Sequence, residues 1–299
     1  MKLAILGTAG SWHAEQLLHA GQNLGHEMVE VDFKRLTARL SMRESAVGCG
    51  EVDLMEFDGV LVRGVPAGTL EQVVFRMDAL HRLETAGVRV INPPKAIETC
   101  VDKYLTTARL QSAGIPVPRT VVCEGLDEAM EAFERLGKNV VVKPIFGSEG
   151  RGILRAETEA MAYRVFWTLF KLQAVLYIQE FIPHPGHDVR VLTIGDRVFT
   201  AMRRVSRGDF RTNVAQGGSF EAFELPPVWE DLALRAAKAV AAPIAGVDLL
   251  PDGSGSPMVI EVNSTPGFKA LSQTTAKNIP AAMIEYLAED RITEATTVG

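Results

Sequence analysis

The chain has 299 residues, 47% hydrophobic and 23% charged, with 31 Lys and Arg against 37 Asp and Glu for a formal charge of −6. That composition fits a soluble globular protein of about two domains with a sizeable core. It excludes a nucleic-acid binder that works through a basic block, and no apolar run reaches the roughly 18 residues of a membrane span. The opening Met1–Gly7 is too short an apolar run for a secretory signal. Cys49, Cys100 and Cys123 form no C-x-x-C pair, so we expect reduced thiols in a cytoplasmic chain.

Leu3–Leu6 reads as a strand, Gly7 to Ser11 as a glycine turn and Trp12–Leu24 as an amphipathic helix. Strands follow at Met28–Phe33 and Gly59–Arg63. Thr69 with Gln72 spells a capping box ahead of a helix over Leu70–Ala86, and Val88–Ile91 is a further strand. Alternation of this kind predicts an open, mostly parallel α/β sheet over residues 1–92, closed by Pro93 and Pro94.

From Lys95 the pattern changes. Helices are expected at 95–113, 126–136 and 157–172, with strands near 119–123 and 139–144. Strands then crowd together at Val175–Phe181, Val189–Ile194 and Arg197–Met202, with a hairpin turn at Gly195-Asp196. A helix at 229–241 precedes the strand pair Gly246–Leu250 and Met258–Val262. Hairpins after αβ units predict an α+β domain in two lobes, 93–174 and 175–290, with a frayed polar tail at 291–299.

Four segments carry candidate chemistry. Side chains alternate along a strand, so Glu261 and Asn263 share a face opposite Ile260 and Val262, and a tight loop could set Asp248 beside them. Three oxygen donors on a rigid sheet suit Mg²⁺; spacing alone leaves open a pair of acids on a solvated face. A buried strand ending in Lys143 runs into a loop with Gly147, Gly150 and Gly152, whose amides could turn toward an anion. No Gly-Lys-Ser/Thr follows, so this is not the Walker pattern, and a plain flexible loop is the alternative.

The strand that ends at Glu180 offers a backbone edge to a purine, and Asp188 and Arg190 share one face of the next strand. A surface ion pair is the alternative there. Arg203, Arg204, Arg207 and Arg211 fall within nine positions, as guanidinium forks for carboxylate or phosphate would require. For Arg204 and Arg207 a solvated face is the preferred reading.

In order along the chain stand Val101-Asp-Lys103-Tyr104, Gly114-Ile-Pro-Val-Pro118, Val141-Val-Lys143-Pro144, Gln179-Glu-Phe-Ile182, Asp188-Val-Arg190, Arg211-Thr-Asn213, Gly246-Val-Asp248 and Glu261-Val-Asn263-Ser-Thr-Pro-Gly-Phe268. This series resembles the ATP-grasp superfamily, in its RimK-like branch of carboxylate–amine ligases. The resemblance spans residues 90–288 and implies a pre-ATP-grasp domain before a two-lobed ATP-grasp domain.

It further implies ATP between the two lobes, with Lys103, Lys143 and Arg203 on the phosphates. Gln179, Glu180, Phe181 and Ile182 would border adenine, and Asp188 would meet the ribose. Gly147, Ser148, Gly150 and Gly152 would form a lid. Asp248, Glu261 and Asn263 would hold two Mg²⁺ or Mn²⁺ ions, and Arg190, Arg211 and Asn213 would face the transferring phosphoryl group. The branch often has lysine where Arg203 stands, and His184 and His187 read as loop residues rather than ligands.

Such ligases convert a carboxylate to an acyl phosphate that an amine then displaces, so no protein nucleophile is needed. By resemblance the partners are ATP, an acidic amino acid, above all L-glutamate, and a carboxylate acceptor. The leading expectation is a small molecule such as a pterin-type coenzyme; a protein C-terminus or an amino-group carrier protein stands close behind. Arg63 and Arg76 are candidates for reading the acceptor, with a solvated helix face preferred for Arg76. Proteins resembling this one are commonly dimers or tetramers.

Two rival classes are a nicotinamide-dependent dehydrogenase and a non-catalytic ATP-binding regulator. Gly7 and Gly10 supply only two of the three glycines that the dinucleotide fingerprint wants. The regulator reading is disfavoured because the lysines, acids and arginines are all retained.

Overall fold

The computed structural model describes residues 1–42, 45–147, 150–206 and 219–289. The chain forms two compact units: Met1–Lys95 with the stretch from Thr265, and Ala96–Ser264.

The first unit begins with β1 (Lys2–Gly7), α1 (Trp12–Asn23) and β2 (Glu27–Asp32). Ser11 Oγ accepts the Ala14 N–H at 3.3 Å and so starts the helix. Next come β3 (Thr37–Leu40), β4 (Ser45–Cys49) and β5 (Val52–Asp53), a small antiparallel sheet that the sequence reading does not anticipate. Then follow β6 (Gly59–Val62), α2 (Leu70–Thr85) and β7 (Arg89–Ile91). The capping box forms as expected, Gln72 N–H to Thr69 Oγ1 at 3.4 Å and Thr69 N–H to Gln72 Oε1 at 3.1 Å.

The main sheet runs β2-β1-β6-β7, every pair parallel. The winding reverses between β1 and β6, whose buried apolar runs make them its centre.

In the second unit the helix expected over 95–113 is two helices, α3 (Pro94–Val101) and α4 (Lys103–Ser112). Asp102 breaks the run: its carboxylate accepts the Leu105 N–H at 3.0 Å and caps α4. A four-stranded antiparallel sheet follows from β8 (Thr120–Cys123), β9 (Val140–Lys143), β10 (Leu154–Ala156) and β11 (Leu176–Glu180), ordered β10-β9-β11-β8. The helices α5 (Leu126–Arg135) and α6 (Glu159–Lys171) cover it, burying Phe133 and Phe166 against Val140 and Ile178.

A five-stranded antiparallel sheet completes the unit. Its strands are β12 (His187–Ile194), β13 (Arg197–Val205), β14 (Ser219–Ala222), β15 (Ile244–Pro251) and β16 (Pro257–Asn263), ordered β14-β13-β12-β15-β16. Helix α7 (Pro227–Ala239) packs over Val189, Val191, Val247 and Val262.

The chain ends in α8 (Leu271–Thr274) and α9 (Ile279–Ala288). Helix α9 lies against α1 and β6, where a Cβ on Gly59 would come within 3.0 Å of Leu287 Cδ1. The expected lobe 175–290 is thereby divided at Thr265, because the apolar face of α9 is buried in the first unit. The tail 291–299 lies outside the described residues. Among the described residues no helix is long and apolar enough to cross a membrane.

Candidate active site

A cleft opens between the two sheets of the second unit. Lys103 from α4, Lys143 from β9 and Gln179 from β11 line it on one side. Asp188, Asp248 and Glu261, from β12, β15 and β16, line it on the other, and Glu180, Phe181 and Ile182 form an edge.

Lys143 donates to Gln179 Oε1 at 2.7 Å, and Gln179 Nε2 donates to Thr120 Oγ1 at 3.0 Å and to the Tyr177 hydroxyl at 3.2 Å. Thr107 bonds that hydroxyl at 2.8 Å. This relay aims the Lys143 ammonium, and burial lowers its pKa to about 8 despite Glu261 and Asp248, with Lys103 pressing in the same direction. Lys103 is also lowered by burial, against the opposing pull of Glu261 and Asp102.

Lys103 Nζ donates to Gly147 O at 2.8 Å, which ties α4 to the glycine loop. Gly147 and Gly152 have φ of 150° and 75°, and a Cβ on Gly152 would meet Pro144 Cγ at 2.9 Å. Gly150 also has positive φ, and Ser148 lies outside the described residues. At the cleft edge, Arg119 donates its N–H and its Nε to the two oxygens of Glu180, at 2.7 and 2.6 Å. The Phe181 N–H donates to Asn139 O at 3.0 Å, and the Arg155 guanidinium sits 3.5 Å from the centre of the Phe181 ring.

The five-stranded sheet contributes a chain of alternating charge. Arg204 donates two parallel hydrogen bonds to Asp188, and its Nη2 lies 2.9 Å from Asp248 Oδ2. Arg190 also grips Asp248, Nε to Oδ1 and Nη2 to Oδ2, the latter at 2.9 Å. Asp188, Arg204 and Asp248 are 1%, 5% and 2% exposed. Burial would raise the Asp248 pKa, but Arg190 and Arg204 hold it below the usual carboxylate range.

Three readings are corrected here. Arg204 is buried at the cleft, not solvated, and Arg203 lies on the opposite face, bonded to Glu221 at 3.0 Å and 4.8 Å from the Phe223 ring centre. The cause is a bulge. An unbroken hairpin from Gly195-Asp196 would pair Asp188 with Arg203; the shift between Leu192 and Thr193 moves every later pair by one and sets Arg204 opposite Asp188. Arg76 is likewise buried, at 7% exposure, and donates to Pro66 O at 2.7 Å.

A second bulge follows Asp248. Asp248 pairs with Glu261, but Leu249 pairs with Val259, so Ile260 lines the cleft beside Glu261 rather than facing away as alternation predicts. The Glu261 side chain makes no hydrogen bond or ion pair among the described residues. Asn263 Nδ2 donates to Gly246 O at 3.4 Å, which reserves Oδ1 as its acceptor. These two oxygen donors fit a hard cation. Asp248 is shared with two guanidiniums, so a cation there needs further negative charge, which a polyphosphate supplies. Arg211 and Asn213 lie outside the described residues.

Burial pushes the Cys100 thiol up to about 12, so it is no nucleophile at neutral pH.

Two family profiles match the chain: a RimK PreATP-grasp domain over residues 1–97 and a RimK-like ATP-grasp domain over residues 100–287. The tetrahydromethanopterin:alpha-L-glutamate ligase of Methanosarcina acetivorans is 31% identical over 309 residues, covering 92% of this chain and 95% of that one. A probable alpha-L-glutamate ligase of Trichodesmium erythraeum is 33% identical, covering 97% of each. In fold the chain is similar to the RimK domain ATP-grasp protein of Sphaerobacter thermophilus, with TM-score 0.76 and 23% identity over 97% of this chain and 100% of that one. The ATP-grasp ligase PsnB, complexed with minimal precursor, Mg and ADP, gives TM-score 0.75 at 23% identity, over 95% and 97% of the two chains.

Proposed function

Because this chain belongs to the RimK-like ATP-grasp family of ATP-dependent ligases, we propose that it joins the amine of L-glutamate to a carboxylate on a small-molecule acceptor, with ATP cleaved to ADP and phosphate. The observation that carries this reading is the cleft itself. Two lysines of lowered pKa stand across from Asp248 and an unengaged Glu261, beside an edge formed by Glu180, Phe181 and Ile182.

ATP would lie with its adenine against the Glu180 carbonyl and the Ile182 amide, and its phosphates would reach Lys103 and Lys143. The acceptor carboxylate attacks the γ-phosphorus and ADP leaves. The glutamate amine then attacks the acyl carbon and expels phosphate, leaving an amide. Both partners in the first step are anions, so charge neutralisation sets the barrier. Lys143, fixed by Gln179, offers a positive charge that needs no reorganisation. Arg190, held by Asp248, stands at the floor and would face the transferring group. Glu261 and Asn263, with Asp248, would hold Mg²⁺, which when bound spreads the phosphate charge. The glycine loop after Lys143, anchored by Lys103, would close and exclude water from the acyl phosphate.

Glutamate and a coenzyme acceptor are favoured by the names of the relatives, one of which is named a tetrahydromethanopterin:alpha-L-glutamate ligase. The test is ADP release from ATP, Mg²⁺ and L-glutamate against a panel of carboxylates, with products weighed. A product heavier by one glutamate residue supports the proposal. ADP release that ignores every acceptor, or a product that keeps phosphate as a kinase's would, defeats it.

A further inference from the structure

Arg63 follows the C-terminal end of β6, next to the end of β1, where the absence of a side chain on Gly7 lets it approach: a Cβ there would lie 3.2 Å from Arg63 Cβ. Its Nη2 donates to Pro266 O at 3.0 Å, and its guanidinium lies 5.3 Å from the Phe268 ring centre. Nε is sealed from water with no hydrogen-bond partner, and Arg63 makes no ion pair among the described residues. The side chain is half-buried with its Nε sealed, and a guanidinium held so without a counter-charge is costly; burial lowers its pKa to about 10.

Lys269 adds a second cation, exposed, 5.5 Å from the Trp12 ring centre and also without an ion pair. His13 does not add a third. Its Nε2 accepts the Phe268 N–H at 3.3 Å, and burial with Arg63 and Lys269 lowers its pKa to about 4, so the neutral ring serves to hold Phe268 in place. The acid that reaches the neighbouring loop, Glu30, accepts the Gly10 N–H at 3.0 Å. Helix α1 starts here with its positive dipole end, although the Ala14 and Glu15 amides are taken by Ser11 and Glu15 sets an acid in the first turn. This is also where the sheet's winding reverses, the crevice in which open α/β sheets bind ligands.

We infer that the carboxyl ends of β1 and β6 form an oxyanion site, with Arg63 as its central donor and Lys269 at its rim, that takes a carboxylate or phosphate group of a co-substrate. Only the ligand's standing as a co-substrate rests on the ligase reading; the site itself stands on Arg63. The site is entirely within the first unit.

The test is calorimetric titration of glutarate, L-glutamate and inorganic phosphate into nucleotide-free protein. Wild type and Lys143→Met should bind one class of probe, while Arg63→Met weakens that binding by about tenfold or more and Lys269→Ala by a smaller factor. Carboxylate binding without phosphate binding would name the group, and the converse would name the other. With turnover established, Arg63→Met should raise KM for one co-substrate about tenfold and leave KM for ATP unchanged. Removing an uncompensated, partly buried cation should leave the ligand-free Tm level or higher. A fall in Tm with probe binding intact, equal binding by wild type and Arg63→Met, or no wild-type binding of any probe would overturn the inference. Loss of turnover in Lys143→Met with its probe binding unchanged keeps the two claims apart.

Discussion

Arg204 holds Asp188 through two parallel hydrogen bonds, Nε to Oδ1 at 2.7 Å and Nη2 to Oδ2 at 2.6 Å, with both side chains shut away from water. The pair joins β13 to β12 at the cleft floor, and through Asp248 it reaches Arg190 on the same face. Removing Arg204 would take two hydrogen bonds from the buried Asp188 and leave Asp248 with Arg190 as its guanidinium partner. Arg204→Met should cost about 3–5 kcal/mol by urea unfolding, and Arg204→Met with Asp188→Asn should cost less than the sum of the single changes. A loss within about 0.5 kcal/mol would mark Arg204 as an ordinary surface side chain.

Lys143 has a pKa of about 8, below the ordinary lysine value, because burial disfavours its charge. Below that pH it carries its proton; above it the free protein loses the charge. Bound phosphates favour the charged form, so ATP affinity should fall as pH rises through about 8, and binding above that pH should take up a proton. Calorimetry at pH 9 in buffers of different ionisation heat reads the uptake directly. Lys143→Met should abolish the Lys143 share, and uptake equal to wild type would assign the proton elsewhere.

Glu261 can be neutralised without breaking a contact. Glu261→Gln should leave stability within about 0.5 kcal/mol while lowering ADP formation by a factor on the order of 10²–10³. Unchanged turnover would remove Glu261 from cation and phosphate chemistry.

Phe166 and Phe133 fill the layer between α5, α6 and the four-stranded sheet and are fully buried. Phe166→Ala should cost about 3–5 kcal/mol. A small loss would mean that this layer repacks freely.

Much of this was legible from local chemistry. The Gly7–Ser11 turn, Thr69 with Gln72, and the Gly195-Asp196 turn each carry their signal within a few residues, and α1, α2 and the β12–β13 hairpin form where those signals stand. Asp102 carried the same kind of signal, an N-cap residue, yet the apolar pattern runs across it, so one helix was expected where two form. The sheet of β3, β4 and β5 lacks clean alternation and is bounded by exposed residues.

At the cleft, residue types were readable but register was not. A single-residue bulge at Leu192/Thr193 exchanges Arg203 for Arg204, and another after Asp248 turns Ile260 inward, because pairing with a period of two flips every side chain on a one-residue slip. Arg76 was misread because its partner is a backbone carbonyl, Pro66 O, which leaves no complementary residue type to notice.

The most direct test of the ligase chemistry uses an acceptor labelled with ¹⁸O in its carboxylate, with ATP, Mg²⁺ and L-glutamate. Attack by that carboxylate on the γ-phosphorus leaves one acceptor oxygen on the released phosphate, so one ¹⁸O per phosphate is the expected result. Phosphate free of label, with amide formed and the second ¹⁸O kept in the product, would contradict an acyl phosphate and with it the reading of the cleft.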